Sequence, residues 1–339
     1  MNYTKWNDPK TYRRMTADLA AYTVPDTPAF GGRKDEHIDH CYVQHYMTSV
    51  EELHELLDVI DYAIVEAIAI SKYLNSLQIF EFVTLRGVDT KRPNLRRRIL
   101  KLMKYRVIQE SEILSSGSVK GIKYYELDYF GHKIAVEHGV NFHMGNCYIS
   151  NSKRREKGMP EVTACEVKRI LVGNQIILNL LMANVQMERF GIMETMRATD
   201  LEKAGRNCIF RTAANVKIDD TSVLAYEVVR DTPDAYDKLS SKLERYYYLI
   251  HNKVYLESNY HGDAYYPQII IVGENFAHNV KIAEYLRKNG MWSNEDTVLF
   301  TEDLLNMKRS LVSIYALSDD NSQMWYELPE NNSVKQEVA

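Results

Sequence analysis

The feature that most constrains this 339-residue chain is residues 88–108, where cationic side chains are interleaved with a helical apolar pattern. Pro93 suits the first turn of a helix, because the N–H that proline lacks has no partner there. Apolar residues then recur at helical spacing, at Leu95, Ile99, Leu102 and Met103. This spacing predicts a helix over residues 94–105 that buries one stripe and leaves a basic surface outside.

A hairpin is predicted directly after this helix. Residues 107–114 and 122–127 alternate between apolar and polar positions, as half-buried strands do. Gly117 and Gly121 lie between the two segments, and glycine favours turns. The hairpin is therefore expected to present Lys120 and Lys123 beside the basic helix.

The flanking residues are predicted to complete a small domain. Apolar spacing indicates a helix over residues 53–66, a short strand over 67–70 and a second helix, capped by Ser71, through residue 77. A closing helix is expected over residues 128–139, with a glycine at its end.

This order of elements resembles winged-helix proteins. The tyrosine-rich segment from Lys123 to Ala135 stands where that family has its last strand and a glycine-containing helix. The resemblance implies binding of double-stranded DNA, with a winged helix used only for protein contact as the alternative. Asn94 and Arg97 would reach base edges in the major groove, and the other cations would contact phosphates. The predicted DNA contacts of this domain are Lys91, Arg92, Asn94, Arg97, Arg98, Lys101, Lys104, Lys120 and Lys123.

Composition places the chain among ordinary globular proteins, with 26% charged and 45% hydrophobic residues. Because the formal net charge is −4, DNA contact must depend on locally concentrated basic surface. The apolar run at residues 170–183 is interrupted by Gly173, Asn174 and Asn179, which favours a buried helix over a membrane span. The N-terminus lacks a signal-peptide core and the four cysteines form no disulfide or zinc pattern, so a cytoplasmic location is expected.

The expected organisation is an irregular arm and two domains joined by a polar linker. The boundaries are residues 1–50 for the arm, 51–142 for the winged helix, 143–162 for the linker, 163–320 for the second domain and 321–339 for a tail.

The second domain is predicted to be a mixed sheet with helices on its faces, which makes the whole chain α+β or α/β. The expected elements are a helix over residues 165–186, strands over 189–196, 207–218 and 222–230, a helix capped by Thr232, a buried strand over 267–273, a helix over 275–288 and strands over 297–300 and 310–317.

Attached to an upstream winged helix, this order is similar to the replication-relaxation family of plasmid and mobile-element proteins, whose second domain has a PD-(D/E)xK nuclease-like fold. The best segment runs from Phe210 to Thr232 and continues into the following helix. In such families a Pro-Asp pair opens the middle strand, and the next strand carries an acidic residue followed two positions later by a polar one. Here Thr212 and Ala213 occupy the first place, Glu227 is retained, and Val229 stands at the last position.

This departure implies a catalytically silent nuclease-like scaffold, in which Glu227 is the one residual catalytic candidate. A nuclease of this kind needs two or three oxygen ligands for Mg²⁺ and a group that positions water, and a lone carboxylate supplies neither. Asp219 and Asp220 are expected at a hairpin tip as turn residues. Lys238, Lys242 and Arg245 would share one helix face, which either contacts DNA phosphates or is simply solvated. No metal or other cofactor is expected.

Two further motifs point to other chemistries. The segment containing His37, His40, Cys41 and His45 carries metal-binding side chains, but its spacing matches no closed zinc site, so a surface or dimer-contact segment is the preferred interpretation. Tyr246-Tyr247-Tyr248 invites comparison with the tyrosine nucleophiles of relaxases, yet the spacing favours tyrosines buried by a helix.

The leading hypothesis is a sequence-specific DNA-binding accessory protein of a plasmid, conjugative element or phage. It would form a homodimer and dock a relaxase or replication initiator. A winged-helix transcription regulator and a metal-dependent endonuclease using Glu227 remain as alternatives.

Overall fold

The computed structural model describes residues 30–33, 35–116, 121–140, 156–158, 161–205, 209–220, 222–258, 264–292, 298–307 and 312–330. The chain is α+β and divides into two compact units. The first comprises Met1–Ala20 and Arg33–Asn174, and the second comprises Ala21–Gly32 and Gln175–Ala339. Within the described residues, no helix is long and apolar enough to cross a membrane.

In its described residues, the first unit combines five helices with a small antiparallel sheet and half of a sixth helix. Its helices are α1 (Val50–Leu56), α2 (Val59–Ser71), α3 (Ser76–Leu85), α4 (Arg92–Lys104) and α5 (Tyr129–Glu137). The strands β1 (His37–His40), β2 (Ile108–Leu114) and β3 (Ile122–Leu127) lie in the order β1-β2-β3.

The predictions for α4, β2, β3 and α5 are confirmed to within two residues. Gly139, whose φ is +68°, follows the C-cap His138 as the expected terminating glycine of α5. The predictions upstream of α4 were wrong in detail. The helix expected over 53–66 is two helices, because Asp58 accepts hydrogen bonds from the backbone N–H groups of Ile60 and Asp61 and so starts a new one.

The short strand expected over 67–70 lies inside α2. Residues 63–71 are buried without interruption, and an apolar run covered on all sides carries no periodicity that separates a helix from a strand. The residue of this region that pairs as a β-strand is instead Leu74, which forms an isolated bridge with Tyr125. Asn75, not Ser71, caps the next helix, through a reciprocal pair of hydrogen bonds with Gln78.

The two units divide inside α6 (Ala164–Met182), not in the polar segment 143–162, most of which lies outside the described residues. Asn174 explains why the first half of α6 belongs to the first unit. Its buried amide donates to the backbone carbonyls of Ser71 and Tyr73, while Gln78 donates to the carbonyl of Leu171.

Among its described residues, the second unit contains a seven-stranded and a four-stranded sheet. Its strands are β4 (Arg189–Ile192), β5 (Thr195–Ala198), β6 (Ile209–Arg211), β7 (Ala214–Lys217), β8 (Val223–Val228), β9 (Leu256–Ser258), β10 (Ala264–Tyr265), β11 (Gln268–Gly273), β12 (Leu299–Glu302), β13 (Val312–Leu317) and β14 (Gln323–Glu327). The orders are β14-β13-β12-β11-β8-β7-β4 and β10-β9-β5-β6.

The described part of this unit also contains the helices α7 (Leu201–Ala204), α8 (Ala235–His251), α9 (Phe276–Lys288) and α10 (Asp303–Met307). In the large sheet β8, β11 and β12 run parallel, while β4 and β7 continue antiparallel from β8. Leu243 of α8 and Ile282 of α9 belong to the same core cluster as Ala225 and Ile271, so both helices pack on one face of the sheet.

Several predicted strands of this unit are divided between the two sheets. The single strand expected over 189–196 is β4 and β5, and the one over 207–218 is β6 and β7, with each partner in a different sheet. Asp234, not Thr232, stands at the start of α8. β14 lies in what was expected to be a tail, and β13 is therefore not the last strand.

Candidate functional site

The cationic residues of α4 fall into two rows with different surroundings. Arg96, Arg97 and Lys104 are exposed, as is Leu100, which is 55% accessible between them. Their spacing of three and four places them on one side of the helix, opposite the buried stripe of Leu95 and Ile99. Lys91 and Arg92 are exposed at the start of the same helix. Arg96 was not among the residues predicted to contact DNA, although it belongs to this open row.

The second row consists of Arg98 and Lys101, whose side chains contact residues at the beginning of α2. Lys101 Nζ lies 2.7 Å from Asp61 Oδ2 and 2.6 Å from the carbonyl oxygen of Leu56. Arg98 pairs with Asp58 at 2.6 Å and with Asp61 at 3.2 Å. Since the Asp61 side chain is fully buried, these two cations neutralise a buried carboxylate. Arg98 and Lys101, predicted DNA contacts, therefore have a structural role in this arrangement.

The other residues at α4 that were predicted to contact DNA lie near a hydroxyl group or an aromatic ring. Asn94 Nδ2 lies 3.3 Å from the hydroxyl of Thr90, and the Arg92 guanidinium lies 5.6 Å from the ring centre of Phe80. The Lys104 ammonium lies 5.6 Å from the ring centre of Tyr46. Among the described residues, no buried carboxylate holds Asn94 or Lys104, so both side chains can still reach an external phosphate.

The hairpin offers less free positive charge than the sequence suggested. Lys123 donates a 2.7 Å hydrogen bond to Glu110 on the neighbouring strand, and Tyr125 donates another of 2.7 Å to the same carboxylate. The hydrogen bond to Glu110 raises the pKa of Lys123, so its ammonium stays protonated but paired. Lys120 lies outside the described residues.

The three predicted contacts on α8 have separate environments. Lys238 pairs with Asp234 one turn earlier and is 75% exposed, and Arg245 Nε lies 3.3 Å from the carbonyl oxygen of Ser241. Lys242 is 12% exposed and points inward, where it donates to Glu227 and to the carbonyl oxygen of Arg211. The expected common basic face therefore loses its central member.

Lys242 instead joins the residual catalytic candidate. Glu227 is 9% exposed on β8, and the Lys242 ammonium also lies 5.0 Å from the ring centre of Phe210. Sequence reasoning missed this pair because it placed the lysine on a surface face. The apolar spacing of α8 carried a signal, since Lys242 immediately precedes the buried Leu243.

A second cluster of buried polar residues, which was not predicted from the sequence, includes Thr212, the residue after Arg211. Thr212 donates a 2.6 Å hydrogen bond to Asn215, the Asn215 amide lies 3.4 Å from Glu194, and Arg189 lies 3.4 Å from Glu194. Asn215 faces Ala225 in the strand register, and Ala225 stands two residues before Glu227. Because side chains alternate along a strand, Asn215 and Glu227 project from the same face of the sheet.

Two motifs from the sequence are accounted for structurally. Asp219 accepts a 2.8 Å hydrogen bond from the backbone of Ser222, which confirms a turn residue, and exposed Asp220 pairs with Lys217. Tyr246 is buried as predicted and donates to the carbonyl oxygen of Pro267, and burial raises its pKa. Tyr248, by contrast, is 44% exposed.

The histidine segment is partly a strand. His37 and His40 belong to β1, and His40 Nδ1 lies 2.8 Å from the hydroxyl of Ser111. In the part of the chain that the structure describes, no group of three or more His, Cys, Asp or Glu residues is arranged to hold a metal ion.

Comparison of the chain with protein-family models, with curated proteins and with solved structures gave no match.

Proposed function

We propose that the chain is a sequence-specific DNA-binding protein whose first unit is a winged helix and whose α4 enters the major groove. The observation that supports this best is the open row of Arg96, Arg97 and Lys104. Among the described residues, none forms an ion pair with Arg96 or Arg97. An exposed helix with unneutralised guanidinium groups matches the phosphate and guanine chemistry of duplex DNA.

The elements around α4 fit this role. α2, the Leu74 bridge, α3, α4, β2 and β3 follow one another in the order that winged-helix domains use. The buried stripe of α4 fixes its orientation, so that the open row faces solvent along about three turns of helix. A recognition helix needs such a rigid support, since base contacts depend on the placement of individual side chains.

The leading role remains an accessory of a plasmid, conjugative element or phage, acting with a relaxase or replication initiator. A transcription regulator would use the same DNA contacts. A footprint of the chain on DNA surrounding its own gene distinguishes the two, because a protected origin or transfer site supports the first and a protected promoter supports the second.

DNA binding is tested by comparing alanine variants of exposed cationic residues on α4 with an alanine variant of an exposed lysine elsewhere. We expect Arg96→Ala and Arg97→Ala each to weaken binding to the footprinted duplex by about tenfold, as removal of a good base or phosphate contact does. Lys203→Ala, on the second unit and 61% exposed, is the matched control and should bind like wild type. Unchanged binding by both arginine variants would contradict the proposed recognition helix.

For the second unit we propose a nuclease-like scaffold without metal-dependent catalysis. The core of β4, β7 and β8, followed by α8 and the parallel strand β11, supports a likeness to nuclease folds. The residues do not fit the magnesium site of such folds. Glu227 accepts from Lys242, Asn215 accepts from Thr212, and Glu194 lies against Arg189.

Cleavage assays test this second proposal. We expect no nicking of supercoiled or linear DNA by the chain in Mg²⁺ or Mn²⁺. Nicking that requires metal and disappears in Glu227→Gln would overturn the scaffold proposal in favour of an endonuclease.

A further inference from the structure

The strand β14 forms an edge of the seven-stranded sheet and differs from the edge strand at the other end. All four residues of β4 are buried. In β14, Met324 is 53% exposed, Trp325 44% and Tyr326 42%, so apolar side chains are accessible on both faces of the strand. An edge strand also presents unpaired backbone N–H and C=O groups along its outer side.

β14 carries few of the features that usually protect such an edge. Proteins discourage edge-to-edge pairing with charged side chains, especially lysine, and with proline or bulges. The strand Gln323-Met-Trp-Tyr-Glu327 contains no lysine or proline, its one charged residue is the terminal Glu327, and Pro329 comes after it has ended. The irregularity in its pairing lies on the inner partner β13, between Val312 and Ile314. The strand β1 of the first unit shows the contrast, because it is short and carries Asp39 between two histidines.

β14 is also held firmly in place. Trp325 packs against the buried Tyr315 with ring centres 5.0 Å apart. Arg287 of α9 donates to Asn321 at 2.9 Å and to the carbonyl oxygen of Ser318 at 2.5 Å, which anchors the turn between β13 and β14. A preorganised strand loses little conformational freedom when it pairs.

The side chains of β14 complement a second copy of themselves. In an antiparallel pair about a two-fold axis at Trp325, each Gln323 faces the Glu327 of the other copy, and each Met324 faces Tyr326. The amide of Gln323 can donate to the Glu327 carboxylate, and the apolar pair covers the opposite face. Both strands contribute the same surface, so the assembly closes at two copies.

We propose that β14 is a homodimer interface, pairing antiparallel with β14 of a second copy through a two-fold axis at Trp325. The pairing joins two seven-stranded sheets by main-chain hydrogen bonds. It depends on the second unit and is independent of DNA binding by α4.

The register is tested by disulfide formation. Residues directly opposite in an antiparallel pair have Cα atoms about 4.5–5.5 Å apart, within disulfide range. Trp325→Cys should therefore form a covalent dimer with itself under mild oxidation. Met324→Cys and Tyr326→Cys should cross-link to each other when mixed and far less to themselves, because like positions lie on a diagonal about 7–8 Å apart. The wild-type chain, with its native cysteines, gives the background.

Measuring the oligomeric state in solution tests the interface without introducing disulfide bonds. Sedimentation of wild type over a range of concentrations should show a monomer–dimer equilibrium. The double variant Met324→Lys/Tyr326→Lys places like charges opposite each other and should weaken dimerisation by more than about tenfold. Leu201→Lys/Ile209→Lys changes residues that are 63% and 51% exposed elsewhere in the unit and should dimerise normally.

Two results would overturn the proposal. One is a wild-type chain that stays monomeric throughout, and the other is a dimer that persists in Met324→Lys/Tyr326→Lys while Trp325→Cys fails to cross-link. Melting temperatures equal to wild type would show that these exposed substitutions leave the fold intact.

Discussion

Cationic residues of α4 that are three or four positions apart have different consequences when removed. Lys101→Ala leaves the buried Asp61 paired with Arg98, at 3.2 Å. We expect the free energy of unfolding to fall by about 1–3 kcal/mol, because a buried acceptor is deprived of a charged donor. Arg97→Ala should change it by less than about 0.5 kcal/mol, since Arg97 is exposed. Urea unfolding of both variants checks the contrast, and equal stabilities would contradict it.

Glu227 and Lys242 form a buried ion pair whose members should not contribute independently. Lys242→Met removes the ammonium that faces the largely buried Glu227 carboxylate and should cost about 3–5 kcal/mol of unfolding free energy. The double variant Glu227→Gln/Lys242→Met removes both charges and should be more stable than Lys242→Met alone. A double-mutant cycle by urea unfolding measures this, and additive costs would show that the pair is not coupled.

His132 makes stability depend on pH. Burial lowers the pKa of His132 from 6.5 to about 4, so the folded chain holds the neutral imidazole while the unfolded chain takes up a proton below pH 6.5. The contribution of neutral His132 to the free energy of unfolding is complete above pH 6.5. It is lost as pH falls toward 4, by about 1.4 kcal/mol per pH unit. Unfolding at pH 7, 6 and 5 should show a smaller decrease for His132→Gln, and identical slopes would refute this.

At the scale of elements, α5 owes its position to one glycine. A Cβ built on Gly131 would collide with the carbonyl oxygen of Val107, at the entry to β2. Because the obstacle is backbone, Gly131→Ala requires the helix to move, and we expect a cost of about 1–3 kcal/mol, as in overpacked cores. Val136→Ala, at a residue 61% exposed on the same helix, should change stability by less than about 0.5 kcal/mol. Thermal unfolding of the two variants measures the difference, and equal melting temperatures would contradict the close approach.

At the scale of the whole molecule, the formal charge of −4 means that the proposed attraction to DNA requires locally concentrated basic surface, which we assign to α4. If the proposal is right, affinity should fall with salt, and the double variant Arg96→Ala/Arg97→Ala should reduce the slope of log affinity against log salt by about one to two. Each arginine that contacts a phosphate contributes about one to that slope, and Arg97 is expected at a base edge. Titrations at several KCl concentrations test this. A slope unchanged in the double variant would place the electrostatic attraction elsewhere.

The sequence determined those features that depend on near neighbours. Pro93 and the apolar stripe specify α4 and its buried face, and alternation specifies β2 and β3. These features can be predicted because the interactions that produce them join residues only a few positions apart, as helical periodicity and helix capping do.

The tertiary structure alone decided which partners those faces meet. A helical pattern shows that Lys101 lies off the buried stripe but not that Asp61 covers it, and it cannot bring Lys242 to Glu227, 15 residues away. Likewise, alternation does not reveal that the chain passes from one sheet to another between β4 and β5, or that β14 ends the large sheet. Such interactions join distant segments, and their energies depend on packing and desolvation that no local pattern encodes.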